Sequence, residues 1–180
     1  MRIIIILAAV LTASFVADAR LGGTPVLVPT LSLGRDTNLG NPIHASCHIQ
    51  IAFNETACAD VAAALKKAGD AMSDFKCTGP KGNGEKCGYA ISTATATEVK
   101  GTHKTPVHKY VDDLSFALSA AGKGCAAKAF STSETWYAVL DAGTNYCNLH
   151  NLVAATGLVF AETTSDSVCT QYSSHDCSKY

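Results

Sequence analysis

Histidine and carboxylate side chains are the first candidates for chemistry, because together they can perform general acid–base catalysis. His103 and His108 flank Pro106, and the adjacent carboxylates Asp112 and Asp113 follow. If folding brings one of these histidines against one of these carboxylates, the chain carries a hydrolase site. The alternative is that the histidines lie in a solvated loop and that Asp112 lies at the exposed end of a strand. Neighbouring strand residues point to opposite faces, so the two carboxylates do not readily act as a pair.

Other catalytic and metal-binding patterns are incomplete. Cys147 and His150 are residue types of thiol enzymes, but an even set of eight cysteines favours a disulfide for Cys147. His44 and His48 lie four residues apart without the glutamate of a zinc-protease motif, and no Gly-x-Ser-x-Gly elbow is present. The glycine-rich segment 79–86 lacks the Gly-Lys-Ser/Thr of a phosphate-binding loop. We therefore predict no catalytic residues, no metal and no cofactor.

A ligand surface is a further candidate. Trp136 is the sole tryptophan of the chain, and aromatic side chains of this kind line many binding sites. Together with His108 and Asp112 it defines the predicted ligand surface, for a small-molecule or protein ligand of unknown identity. The alternative for Trp136 is a place in the core.

The N-terminal segment predicts the compartment. Arg2 is followed by an apolar run, and Ala17-Asp18-Ala19 has the small-x-small pattern of a cleavage site. The run is shorter than the roughly 20 residues of a spanning helix. We therefore predict a signal peptide over 1–19, an extended arm or propeptide over 20–46, and a single domain over 47–180 that is secreted and extracellular, with no membrane span.

The cysteines all follow the predicted cleavage site, and in an oxidising compartment an even set predicts disulfides. Eight cysteines allow on the order of a hundred pairings. Short turn-rich segments favour Cys77 with Cys87 and Cys169 with Cys177, and the sequon Asn54-Glu55-Thr56 predicts a glycoprotein. The predicted disulfide cysteines are Cys47, Cys58, Cys77, Cys87, Cys125, Cys147, Cys169 and Cys177.

Hydrophobic periodicity predicts an α+β domain. Cys58, Val61, Leu65, Ala68 and Met72 recur at helical spacing, with Asn54 or Thr56 as the cap. Alternation then predicts strands over 48–53, 89–99, 110–119, 125–131 and 135–141, a loop over 101–106, a tight connection at 131–133 and a turn at 122–124. The segment 144–153 is predicted to be less regular because its asparagines compete for backbone hydrogen bonds, and 157–161 is a candidate last strand. The prediction is one main helix packed on an antiparallel meander of four to five strands, stapled by disulfides.

The segment 141–152, Asp-Ala-Gly-Thr-Asn-Tyr-Cys-Asn-Leu-His-Asn-Leu, is distinctive. It resembles a group of small secreted eukaryotic proteins, functionally uncharacterised, that carry Thr-Asn-Tyr-Cys-Asn-Leu-x-Asn-Leu after a sheet. Those proteins continue with Tyr-Cys where this chain has Val153-Ala154, so the cysteine pairing here can differ. The resemblance implies secretion and a shared fold, and it supplies no activity.

Composition narrows the function classes. The net charge is −1, with 14 basic and 15 acidic residues, which leaves no basic footprint for nucleic acid. We predict a secreted, disulfide-stabilised binding or interaction module without catalysis. The alternatives are a secreted hydrolase with a His/Asp site assembled in the fold, and a small inhibitor or defence protein.

Overall fold

A computed structural model describes residues 44–76, 84–135 and 138–178. The predicted signal peptide and nearly all of the predicted arm lie outside these residues. Within the described part of the chain, no helix is long and apolar enough to cross a membrane.

The described chain forms one antiparallel sheet with two helices, which confirms the predicted α+β class. The elements are β1 (Ser46–Phe53), α1 (Cys58–Ala71), β2 (Tyr89–Ala94), β3 (Glu98–Lys104), β4 (Val111–Ala121), β5 (Gly124–Ser133), α2 (Thr144–Ala155) and β6 (Ala161–Thr163). The strands lie in the order β2-β3-β4-β5-β1-β6, so β2 to β5 form a meander and β1 returns beside β5. The sheet has six strands rather than four or five, and a second helix joins the predicted one.

Helix α1 confirms the helical periodicity. Val61, Leu65 and Ala68 are buried on its inner face. A Cβ added to Gly69 would lie 2.4 Å from Cγ1 of Ile91 on β2, so a side chain at this position of α1 would clash with the sheet. The predicted side-chain cap is wrong, because the helix begins after Ala57 without a side-chain hydrogen bond.

The predicted single strand over 89–99 is wrong, because the chain reverses within it. Strands β2 and β3 form a hairpin around residues 95–97. The Thr95 hydroxyl accepts hydrogen bonds from the backbone N–H groups of Thr97 and Glu98, at 3.4 and 3.1 Å. A threonine in an alternating run is also a good strand residue, so local periodicity does not reveal this turn. Most of the predicted loop over 101–106 consequently belongs to β3.

Strand β5 is longer than predicted, and the described residues of the next predicted strand do not form one. Segment 131–133, expected to be a tight connection, continues β5 opposite β1 and β4. Residues 135 and 138–141 of the predicted strand over 135–141 are not in strand conformation. The predicted turn at 122–124 is confirmed, because Gly122 and Lys123 connect β4 to β5. The candidate last strand over 157–161 forms later, as β6, and pairs with β1.

The segment predicted to be irregular is helix α2. Its asparagines do not disrupt it, because the side chains of Asn145 and Asn148 bond to groups outside the helix. The Asp141 carboxylate accepts from the backbone N–H groups of Gly143 and Asn145, both at 3.0 Å. A carboxylate at this end favours the helix, since the N-terminal N–H groups lack partners within it.

Three disulfides lie wholly within the described residues. They join Cys47 to Cys169, Cys58 to Cys125 and Cys147 to Cys177. Each connects separate parts of the fold: β1 to the C-terminal segment, α1 to β5, and α2 to the C-terminal segment.

The predicted pairing of Cys169 with Cys177 is therefore wrong. Cys169 forms an isolated β-bridge with Cys47, which places it beside β1. Cys177 lies against α2, where it meets Cys147. Cys87 is also disulfide-bonded, and Cys77, its predicted partner, lies outside the described residues.

Candidate functional site

A row of polar side chains crosses the inner face of the sheet. Tyr89, His103, Asp112 and Ser133 are successive register partners on β2, β3, β4 and β5. All four residues are buried, and Asp112 is only 5% exposed. The interpretation that Asp112 lies at the exposed end of a strand is therefore wrong, because the neighbouring strands and α2 cover it.

Helix α2 supplies the partner that this row needs. The Nδ2 of Asn148 donates to Oδ2 of Asp112 at 2.7 Å. The Tyr89 hydroxyl donates to the backbone oxygen of Asn148 at 2.8 Å. One asparagine thus connects α2 to both β2 and β4 through buried hydrogen bonds.

A second asparagine of α2 makes an equivalent set of bonds one helical turn earlier. The Ser131 hydroxyl donates to Oδ1 of Asn145 at 2.6 Å. The Nδ2 of Asn145 donates to the backbone oxygen of Ala45 at 3.2 Å and to Oδ2 of Asp141 at 2.8 Å. Asn145 therefore links the start of β1, the end of β5 and the Asp141 turn.

The electrostatic setting of Asp112 is unfavourable to its charge. Burial raises the pKa of the carboxyl, and the negative charges of Asp141 and Asp113 raise it further. Hydrogen bonds with Asn148 and Ser133 act in the opposite direction, but the pKa stays above its usual value. Among the described residues, the carboxyl's hydrogen-bond partners Asn148 and Ser133 are neutral.

Asp112 also forms part of the wall of a cavity, which we call the Asp112 cavity. Its volume is about 580 Å³. It lies between the segment that leads into α2 and one edge of the sheet, where β3 and β5 end and β4 begins. The described residues that line it are Thr105, Tyr110, Asp112, Ser133, Thr135, Ala138, Val139, Leu140, Asp141, Ala142, Thr144, Asn145 and Gln171.

The histidine next to Asp112 in the sheet is bonded elsewhere. His103 Nε2 lies 3.0 Å from the backbone oxygen of Glu85, and its ring centroid lies 4.8 Å from that of Tyr89. Burial lowers the pKa of His103 to about 4, although the Glu85 and Cys87 backbone groups act to raise it. His103 is therefore neutral at physiological pH and does not line the Asp112 cavity.

The other predicted site residues are dispersed. His108 is exposed and stacks on Tyr110, with ring centroids 5.3 Å apart. Asp113 is exposed on the opposite face of β4 from Asp112. Trp136 lies outside the described residues. Of the predicted ligand-surface residues, Asp112 lines the cavity, and His108 does not line it but stacks on Tyr110, which does.

A second polar cluster was missed by the sequence argument. On α2, the Tyr146 hydroxyl donates to Oε1 of Glu162, and His150 Nδ1 lies 3.0 Å from the same oxygen. Burial opposes the charge of Glu162, but the hydrogen bonds of His150 and Tyr146 outweigh it, so the pKa of Glu162 lies below its usual value. This cluster ties α2 to β6, and no local motif marks it because Glu162 is distant in sequence.

Asp141 is a further site residue that the sequence analysis does not predict. A weak signal exists, since an acidic residue shortly before a helix is a frequent N-terminal feature. The signal has no helix to mark when 144–153 is predicted to be irregular. Among the described residues, no group of three or more histidine, cysteine, aspartate or glutamate side chains is placed to hold a metal ion.

Asn54, the predicted glycosylation site, is exposed in the turn after β1.

Comparison of the chain with models of protein families, with curated proteins and with solved structures found no match in any of the three.

Proposed function

We propose that this chain is a secreted, disulfide-bonded binding protein, without catalytic activity, that takes a small organic ligand in the Asp112 cavity. The observation that carries the proposal is the cavity itself, which combines a buried carboxylate with apolar side chains. Cavities that hold small ligands commonly have volumes of about 300–1,000 Å³ and place a few polar groups in apolar walls. A volume of about 580 Å³ suits a ligand of modest size.

The rim of the cavity supports ligand binding. Leu140 is 70% exposed, Val139 53% and Tyr110 43%, and all three line the cavity. Exposed apolar side chains that cluster often mark a binding site, because leaving them in water is unfavourable. A ligand that covers them would remove this apolar area from water.

The covalent framework supports secretion. Disulfides that connect separate elements persist in oxidising compartments and are rare in the cytosol.

Secretion is tested by expressing the full chain in a eukaryotic secretory host. We expect the protein in the medium with Arg20 at its N-terminus. Retention in the cell with an intact leader would contradict secretion.

The hydrolase alternative receives little support from the geometry. A general base must reach the proton that it removes, and His103 is instead bonded to a carbonyl outside the cavity. His108 and Asp113 are exposed, and Asp113 faces away from Asp112. Nothing in the described residues favours the inhibitor alternative over the binding protein.

Binding is tested with 2-phenylethanol, a neutral probe, by ligand-observed saturation-transfer NMR on the disulfide-bonded protein. Ala138→Phe places a large side chain in the wall of the cavity. Ala117→Phe is the matched control, because Ala117 is exposed on the outer face of β4. We expect a signal that Ala138→Phe removes and Ala117→Phe leaves. A signal that Ala138→Phe leaves unchanged would contradict the proposal, as would the absence of binding by 2-phenylethanol and by both of its charged analogues, 2-phenylethylamine and 3-phenylpropionate.

A further inference from the structure

The charges that line the Asp112 cavity are not balanced. Asp112 and Asp141 both contribute carboxylates, and the described lining residues include no lysine, arginine or histidine. The two charges are close enough for Asp141 to disfavour ionisation of Asp112. Buried carboxylates are usually paired with a cation, because neutral donors offset only part of the loss of hydration.

The donors around the two carboxylates are all neutral. Asp141 accepts three hydrogen bonds, from the backbone N–H of Gly143 and from the backbone and side-chain N–H groups of Asn145. Asp112 accepts from Asn148 and is hydrogen-bonded to Ser133. A carboxylate can accept about four hydrogen bonds. Asp112 therefore retains acceptor capacity toward a ligand.

Two lysines adjoin lining residues of the cavity in sequence, and neither is placed on Asp112. Lys104, beside Thr105, is exposed on the face of β3 opposite to His103. Lys109 precedes Tyr110, but its Nζ lies over the ring of Phe75, 4.4 Å from the ring centroid. This contact is a cation–π interaction. It directs the ammonium group of Lys109 toward the segment that follows α1 rather than toward Asp112.

Resting on the proposed binding function, we propose that the ligand of the Asp112 cavity is an organic ammonium ion, an amine carried on an apolar body. The ammonium group would donate to the Asp112 carboxylate. The apolar body would lie against Val139, Leu140 and the ring of Tyr110. A metal ion fits less well, because the described residues form no cluster of three ligands.

The test compares three probes of similar size: 2-phenylethylamine, which is cationic, 2-phenylethanol, which is neutral, and 3-phenylpropionate, which is anionic. Affinities are measured by isothermal titration calorimetry at pH 7. We expect the amine to bind at least about tenfold more tightly than the alcohol, and the carboxylate to bind most weakly. A charge-assisted hydrogen bond in a partly desolvated site supports a preference of this size.

Asp112→Asn provides the decisive variant, and Asp113→Asn is its matched control. We expect Asp112→Asn to bring the affinities of amine and alcohol within about threefold of each other, and Asp113→Asn to preserve the preference. Asp141→Asn is a second variant, expected to reduce the preference for the amine, and it keeps the test available if Asp112→Asn does not fold.

The outcomes separate the two proposals. If the alcohol binds as tightly as the amine in a manner that Ala138→Phe abolishes, the binding function stands and the ammonium inference is overturned. Retention of the amine preference in Asp112→Asn also overturns the inference. If none of the three probes binds, both proposals fail.

Discussion

The side-chain amide of Asn148 on α2 donates to the carboxylate of Asp112 on β4 at 2.7 Å, between residues separated by 36 positions in the chain. Both residues are buried. It joins the helix to the meander at the wall of the Asp112 cavity. The bond thus connects the distinctive asparagine motif to the candidate site.

Loss of the Asn148 amide should destabilise the fold. In Asn148→Ala the Asp112 carboxylate loses a donor in a buried setting, which we expect to cost about 2 kcal/mol of the free energy of unfolding. Urea denaturation at pH 7 measures the change. Asn54→Ala is the control, because Asn54 is exposed, and a change of less than about 0.5 kcal/mol is expected there. Equal effects of the two substitutions would show that the buried bond has no special role.

Replacing the buried carboxyl should alter how stability depends on pH. The folded pKa of Asp112 lies above its ordinary value of 3.8. The contribution of Asp112 to the free energy of unfolding is therefore fully present below pH 3.8 and is lost as the pH rises through the folded pKa. Asp112→Asn removes this loss, so we expect its stability relative to the native protein to increase from acidic to neutral pH. Denaturation over pH 3–8 tests this, and a difference that does not change with pH would contradict it.

His103 should make the stability of the fold depend on pH in the opposite direction. Its pKa falls from 6.5 to about 4 on folding, so its contribution to stability is present above pH 6.5 and is lost as the pH falls through about 4. The contribution amounts to at most ~3 kcal/mol. We expect the stability of the native protein relative to His103→Gln to increase with pH across this window. His108→Gln serves as the exposed control, and an identical pH profile for both variants would contradict the assignment.

Disulfide mapping tests the connectivity directly. Proteolysis without reduction should release cross-linked peptides that contain Cys47 with Cys169, Cys58 with Cys125, and Cys147 with Cys177. Mass spectrometry before and after reduction identifies each pair. A peptide that links Cys169 to Cys177 would contradict the structure.

Asn54 should carry a glycan when the chain passes through a eukaryotic secretory pathway. It lies exposed in the turn after β1, and a glycosylated asparagine must lie on the surface. We expect a mass increase that a glycosidase removes and that Asn54→Gln abolishes. Secreted protein of unmodified mass would show that the sequon is not used.

Much of the sheet and the first helix could be predicted, because their signals are local. The burial of Val61 and Leu65 on one face of α1, and of Leu114 and Phe116 on one face of β4, follows directly from spacing. The secondary structure was predicted wrongly over 89–99 and 144–153. In the first segment the Thr95 hydroxyl accepts hydrogen bonds that close a turn between two strands, and before the second the Asp141 carboxylate accepts from N–H groups at the start of a helix.

The candidate site itself could be predicted only in part. The sequence marks Asp112 as a candidate site residue, but its burial depends on α2 packing over the end of the sheet. The roles of Asn145 and Asn148 likewise require partners on other elements, at Ser131 and Asp112. No spacing along the chain encodes these contacts.

The sequence by itself determined the α+β class, the main helix and the inner and outer faces of the strands, since these depend on the local alternation of side chains. Tertiary structure alone decided the register that aligns Tyr89, His103, Asp112 and Ser133, and the pairing of Cys169 with Cys47 rather than with Cys177. The physical reason is that both depend on which distant segments share buried surface. The Asp112 cavity is a product of those long-range contacts.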